Sequence, residues 1–140
     1  MIETKKHSTW ITLVVMVALM LLSLGPRQVV VRAGQAYYVA TNGSDANPGT
    51  QDRPWKTIQK AANTAQAGDT VYVRGGTYTG TVRFTRSGKE GSLIVFRNYQ
   101  GESVTVKATD WAGLHVNADW LVIDGFKESG ASSHGIFITG

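Results

Sequence analysis

Short apolar runs return along this chain at intervals in the low twenties, and that rhythm restricts its fold more than any other feature. Runs of three to five residues with β-type composition occupy 37–40, 70–73, 81–84, 93–96, 103–106, 114–116, 120–123 and 136–138, with turns of Gly, Asn, Asp or Ser between them. Val71-Tyr72-Val73 returns as Ile94-Val95-Phe96 after 23 residues, and as Leu121-Val122-Ile123 after 27 more. Val82-Arg83-Phe84 returns as Val104-Thr105-Val106 after 22. Gly113-Leu114-His115-Val116 returns as Gly135-Ile136-Phe137-Ile138, again after 22. Three interleaved series describe a coil with three faces per turn, a β-solenoid. An antiparallel sandwich also has short strands and frequent turns, but nothing in it requires this period. In a solenoid each strand pairs with the coil above and below, so very short strands suffice.

One segment departs from the rhythm. Ile58, Ala61, Ala62 and Ala65 fall at i, i+3, i+4 and i+7, which predicts one amphipathic helix at about 55–66, entered after Pro54 and left before Gly68. Laid across the first coil, it would cover the exposed backbone and apolar side chains there, with Ile58, Ala61, Ala62 and Ala65 inward and Gln59 and Lys60 outside. The other end has no such cover. Ile138-Thr139-Gly140 stops in mid-rhythm, so the sequence reads as the front part of a longer protein, truncated at its C-terminus.

The charge balance narrows the partners. The chain holds 14 Lys+Arg against 10 Asp+Glu, a formal +4, but residues 1–36 alone carry +3 and the remainder only +1. The body therefore lacks the electrostatic footprint of a nucleic-acid binder. With no Cys there are no disulfides, thiolate zinc sites or cysteine nucleophiles. Residues 11–24 are almost wholly apolar, preceded by Lys5 and Lys6 and followed by Gly25-Pro26. As a helix this run rises about 21 Å, short of a hydrocarbon core of roughly 30 Å. Residues 1–36 are thus expected to be a secretory signal peptide, with Val31-Arg32-Ala33 and Gly34-Gln35-Ala36 both offering a cut after a small residue. Arg27 and Arg32 beyond the apolar run keep an uncleaved anchor open, the one expected contact with a membrane. Residues 37–140 are the exported body.

Within that body, Tyr37-Tyr38-Val39-Ala40-Thr41-Asn42-Gly43-Ser44-Asp45, Asn47-Pro48-Gly49-Thr50, Pro54-Trp55-Lys56-Thr57-Ile58, Ala67-Gly68-Asp69-Thr70-Val71 and Gly76-Thr77-Tyr78 resemble the start of secreted right-handed parallel β-helix proteins. The likeness is to the pectate-lyase group that includes family 9 polysaccharide lyases, and it covers roughly 37–140. The resemblance implies an all-β, right-handed parallel β-helix with a capping helix. It implies a secreted, polysaccharide-active protein acting on acidic polysaccharide by Ca²⁺-dependent β-elimination, a monomer when full length. In such lyases an aspartate cluster holds Ca²⁺ against a uronate carboxylate, and a Lys removes the adjacent proton. The competing class is a non-catalytic β-helix that binds glycan or serves as an adhesin or structural rod.

No catalytic, cofactor-binding or metal-binding residue is assigned from the sequence, and the 140-residue chain alone is expected to be inactive and to hold no Ca²⁺. Several residues have side chains suited to such roles. Asp119 and Asp124 flank a run and would reach one groove, but each also suits a turn. Asp110 beside Trp111 fits a sugar platform or a cover for the coil. Lys107 and Lys127 end runs on related faces, where they would meet a uronate or guard a strand edge. His115 points away from Leu114 and Val116 and is expected to be exposed. His134 belongs to a turn-like Ser132-Ser133-His134. The segment Asn42-Gly43-Ser44-Asp45-Ala46-Asn47 lacks the acidic spacing of a Ca²⁺ loop and reads as a turn carrying a chance sequon at Asn42. Gly75-Gly76 has no phosphate-loop context.

Overall fold

The structure is a computed structural model that describes residues 33–139. The apolar run, its basic flank and the anchor alternative lie outside the described residues.

Ten strands follow one another with one α-helix and one short 3-10 helix, Tyr99–Gly101, among the described residues. They are β1 (Ala36–Val39), β2 (Thr70–Val73), β3 (Gly76–Thr79), β4 (Val82–Phe84), β5 (Ile94–Asn98), β6 (Val104–Lys107), β7 (Ala112–Val116), β8 (Leu121–Asp124), β9 (Phe126–Ser129) and β10 (His134–Ile138), with α1 (Ile58–Thr64) between β1 and β2. They form three sheets, ordered β1-β2-β5-β8, β3-β6-β9 and β4-β7-β10. Every strand pairing is parallel. After β1 and the helix, each coil contributes one strand to each sheet, the three-faced solenoid that the rhythm describes. Alternation along each strand sends Val71, Val73, Ile94, Phe96, Val104, Val106, Leu114 and Phe84 into one continuous core.

The helix closes the first coil as expected, over fewer residues than 55–66. Thr57 is the N-cap, its Oγ1 accepting from Lys60 N at 3.1 Å. The chain enters late because Trp55 is committed elsewhere. Its N–H donates to Tyr38 O, it bridges to Val39, and its ring is buried under Tyr37. Ala65 already has extended backbone and ends the helix. Ile58, Ala61, Ala62 and Ala65 all face the core. Gln59 is not the solvent-facing residue expected. It is half-buried, and its amide is bonded to the backbone of β4.

Two of the three repeat series are real, and one is corrected. Leu114 pairs with Ile136, and Ile94 with Leu121, as the spacing implied. Val71 pairs with Phe96 rather than Ile94, a two-residue offset that keeps the same face inward. Val82-Arg83-Phe84 does not return as Val104-Thr105-Val106. Val82 pairs with Leu114, while Val104 pairs with Gly76, because β3 forms an unanticipated strand in the first complete coil. β9 was unanticipated for the same reason: neither Gly76-Thr77-Tyr78-Thr79 nor Phe126-Lys127-Glu128-Ser129 alternates apolar residues.

Candidate functional site

The outer face of the β4-β7-β10 sheet gathers the most chemistry. With Val82 and Phe84 inward, Arg83 must point out, and the same parity turns His115 out between Leu114 and Val116. Parallel pairing then sets Arg83, His115 and Phe137 in one file, one per coil. Trp111, just before β7, lies edge-on to His115 and to Phe137, each with ring centres 4.6 Å away.

Polar contacts order this face. Arg83 Nη1 lies 3.2 Å from His115 Nδ1. A guanidinium can only donate, so Nδ1 accepts, which assigns the proton of the neutral ring to Nε2. Nε2 is buried and lacks a hydrogen-bond partner. His115 is therefore half-covered by its aromatic neighbours rather than exposed as expected. Arg83 Nη2 is 3.5 Å from Asp110 Oδ2, and both side chains are about half exposed. Trp111 N donates to Asp110 Oδ1 at 2.8 Å, which fixes the carboxylate. An ion pair this open contributes little to stability and exchanges readily for another anion. The face thus sets a planar, forked cation beside an aromatic surface, a combination suited to a ring bearing a carboxylate.

The other candidate residues are not brought together. Asp124 binds Arg97 Nη2 at 3.0 Å on the outer face of the β1-β2-β5-β8 sheet. Asp119 lies in a turn, where its N–H donates to Ser87 Oγ and its carbonyl accepts from Gly88. Lys107 and Lys127 share the outer face of the β3-β6-β9 sheet, but Lys127 sits inside β9 instead of ending a strand. His134 opens β10, so the turn ends before it. Asp45 accepts from the N–H groups of Lys56 and Thr57, both at 2.9 Å, and from Thr57 Oγ1 at 2.7 Å. Partial burial alone would raise its pKa, but the Thr57 and Lys56 hydrogen bonds and the charge of Lys60 outweigh burial and hold it low.

Two carboxylates were missed in the sequence. Asp69 is fully buried and accepts from Gln35 N at 2.9 Å and Gln66 N at 2.8 Å. Glu128 faces inward on β9 in register with Val106, against Gly113 and Gly135, where a side chain would collide with it. Its Oε1 is buried without a partner. Only the Gly-Asp-Thr turn hinted at Asp69, and Glu128 gave no signal without β9. Among the described residues no three His, Asp or Glu converge as a metal site. Asp45, Asp69, Asp110 and Asp124 do not fit Ca²⁺, since each is held by donors of the chain at a separate place.

Three stacked parallel sheets around one core, closed by a helix, define the class: a parallel β-helix. The chain belongs to the Pel9A-like, right handed beta helix region family, which matches residues 37–140. It is 45% identical over 74 residues to the uncharacterized protein YwoF of Bacillus subtilis, covering 53% of this chain and 16% of that one. It is 43% identical over 84 residues to pectate lyase PEL9 of Emericella nidulans, covering 59% of this chain and 20% of that one. The solved structure of pectate lyase Pel9A superposes with a TM-score of 0.59 at 24% identity, over 69% of this chain and 28% of that one. The chain thus spans a fifth or less of the length of these two curated relatives.

Proposed function

We propose that this chain is the cap and first coils of a secreted polysaccharide-active protein, a pectate-type lyase that cleaves polyuronate by β-elimination. The observation that carries the reading is the file of Arg83, His115 and Phe137 with Trp111 against it. The faces of these rings would take the apolar side of a sugar ring, and the Arg83 guanidinium, released from Asp110, would take its carboxylate. The 43% identity to a pectate lyase supports the same substrate class. Ca²⁺ dependence belongs to this reading only if further residues join to hold the ion, because no three His, Asp or Glu converge among the described residues. A non-catalytic glycan-binding β-helix is the second reading, supported by the same file of Arg83, His115 and Phe137 beside Trp111.

Affinity electrophoresis of the chain in gels containing polygalacturonate, its methyl ester or a neutral glucan tests the proposal. Retardation should be selective for polygalacturonate, should weaken roughly tenfold with Arg83→Ala, and should persist with Lys127→Ala on another sheet. Equal retardation by all three polymers, or none, would remove the glycan reading.

A further inference from the structure

We infer that maturation cuts the chain between Ala33 and Gly34, and not after Ala36. The inference rests on the proposed export, and the two positions are otherwise equivalent in offering a small residue before the cut. The structure separates them, because Gly34, Gln35 and Ala36 belong to the folded body. Gly34 lies so close to Gly68 that a Cβ on it would come within 1.8 Å of Gly68 O, a contact only glycine makes. Gln35 N donates at 2.9 Å to Asp69 Oδ1, a carboxylate with no exposure to solvent. Gln35 O in turn accepts from Thr70 N at 2.9 Å, and Ala36 opens the pairing of β1 with β2.

A product beginning at Tyr37 would lose all of this. It would strip one backbone donor from a carboxylate that the intact chain holds fully buried. It would also shorten β1 at the edge of its sheet. A product beginning at Gly34 keeps every one of these bonds and sets its new α-ammonium one residue from the Asp69 contact. Ala33 itself is exposed. The body therefore tolerates the first cut and is damaged by the second.

The full 140-residue chain, produced in an exporting host, decides the matter through N-terminal sequencing and intact mass of the material outside the cell. Gly34 as first residue is expected. Tyr37 as first residue overturns the inference while leaving export intact. Cell-bound material starting at Met1 or Ile2 overturns the export reading and this cut with it. Two substitutions provide an independent check: Ala33→Lys should abolish release of mature chain, and Ala36→Lys, at an exposed strand position, should leave the new terminus at Gly34. The reverse pattern refutes the assignment.

Discussion

The side-chain amide of Gln59 makes to Arg83 the pair of hydrogen bonds that a neighbouring strand would make: Oε1 accepts from Arg83 N at 2.8 Å, and Nε2 donates to Arg83 O at 3.0 Å. β4 is the first strand of its sheet, with β7 on its other side. Gln59 therefore substitutes for the missing coil at an edge that would otherwise recruit another chain. Gln59→Ala is expected to lower stability by about 1–2 kcal/mol, the net worth of two such bonds. Sedimentation at rising concentration should show more self-association than in the parent chain.

The apolar face of the same helix carries more. Ile58 is 1% exposed, and Ile58→Asp would place a carboxylate against the first coil. A loss of several kcal/mol is expected, read as a fall in the urea midpoint. Ile58→Val, which keeps the chemistry, should cost only about 1 kcal/mol.

Acid should loosen this cap. Because the folded Asp45 carboxyl titrates below its usual value, its stabilising effect is complete above the unfolded value of about 3.9 and disappears as the pH falls through the folded one. Asp45→Asn should flatten the acid limb of the stability profile. Thr57→Ala, which removes the capping oxygen, should cost about 1 kcal/mol at neutral pH.

Alkali acts one coil later. Burial, reinforced by Glu102 and partly offset by Arg74, pushes the Tyr78 hydroxyl up to about 12, and it donates to Arg74 O at 2.8 Å. The stabilisation is intact below the unfolded value of about 10 and is lost as the pH rises through the folded one. Tyr78→Phe should remove that alkaline dependence while costing about 1 kcal/mol near neutrality.

The 140-residue chain should release no unsaturated uronate from polygalacturonate, with or without Ca²⁺. Asp110, Asp119 and Asp124 lie at separate places, Asp124 at the end of β8, and a hard cation needs six to eight converging oxygens. The assay is product absorbance on soluble chain whose circular dichroism is strand-rich. Metal-dependent product would relocate the active site to these coils, with Lys107, Asp110, Asp124 and Lys127 the first residues to replace.

The sequence displayed the solenoid wherever a coil kept its apolar alternation. Gly113-Leu114-His115-Val116 and Gly135-Ile136-Phe137-Ile138 are one coil apart and nearly superimposable, so their pairing was legible. β3 and β9 were not, because Tyr78 is the only large apolar side chain that β3 sends inward and β9 sends Glu128. Omitting β3 gave Val82 the wrong partner, and the site suffered from the same error. Asp110 and Trp111 read from the sequence as a sugar platform or a cover for the coil. Arg83 could join them only once β4 was known to lie beside β7. Register, the least local property of a sheet, is what single residues do not encode.

A coil stack sealed at its first coil has a direction of growth. Each coil bonds only to its neighbours, so order spreads stepwise from wherever it starts. The helix and first coil are made first on the ribosome, at about 5–20 residues per second, and can act as a finished template before later strands appear. Assembly would then run from the sealed end outward, each new turn of chain settling on the last. The amide of Gln59, by blocking the wrong end, keeps that propagation in one direction.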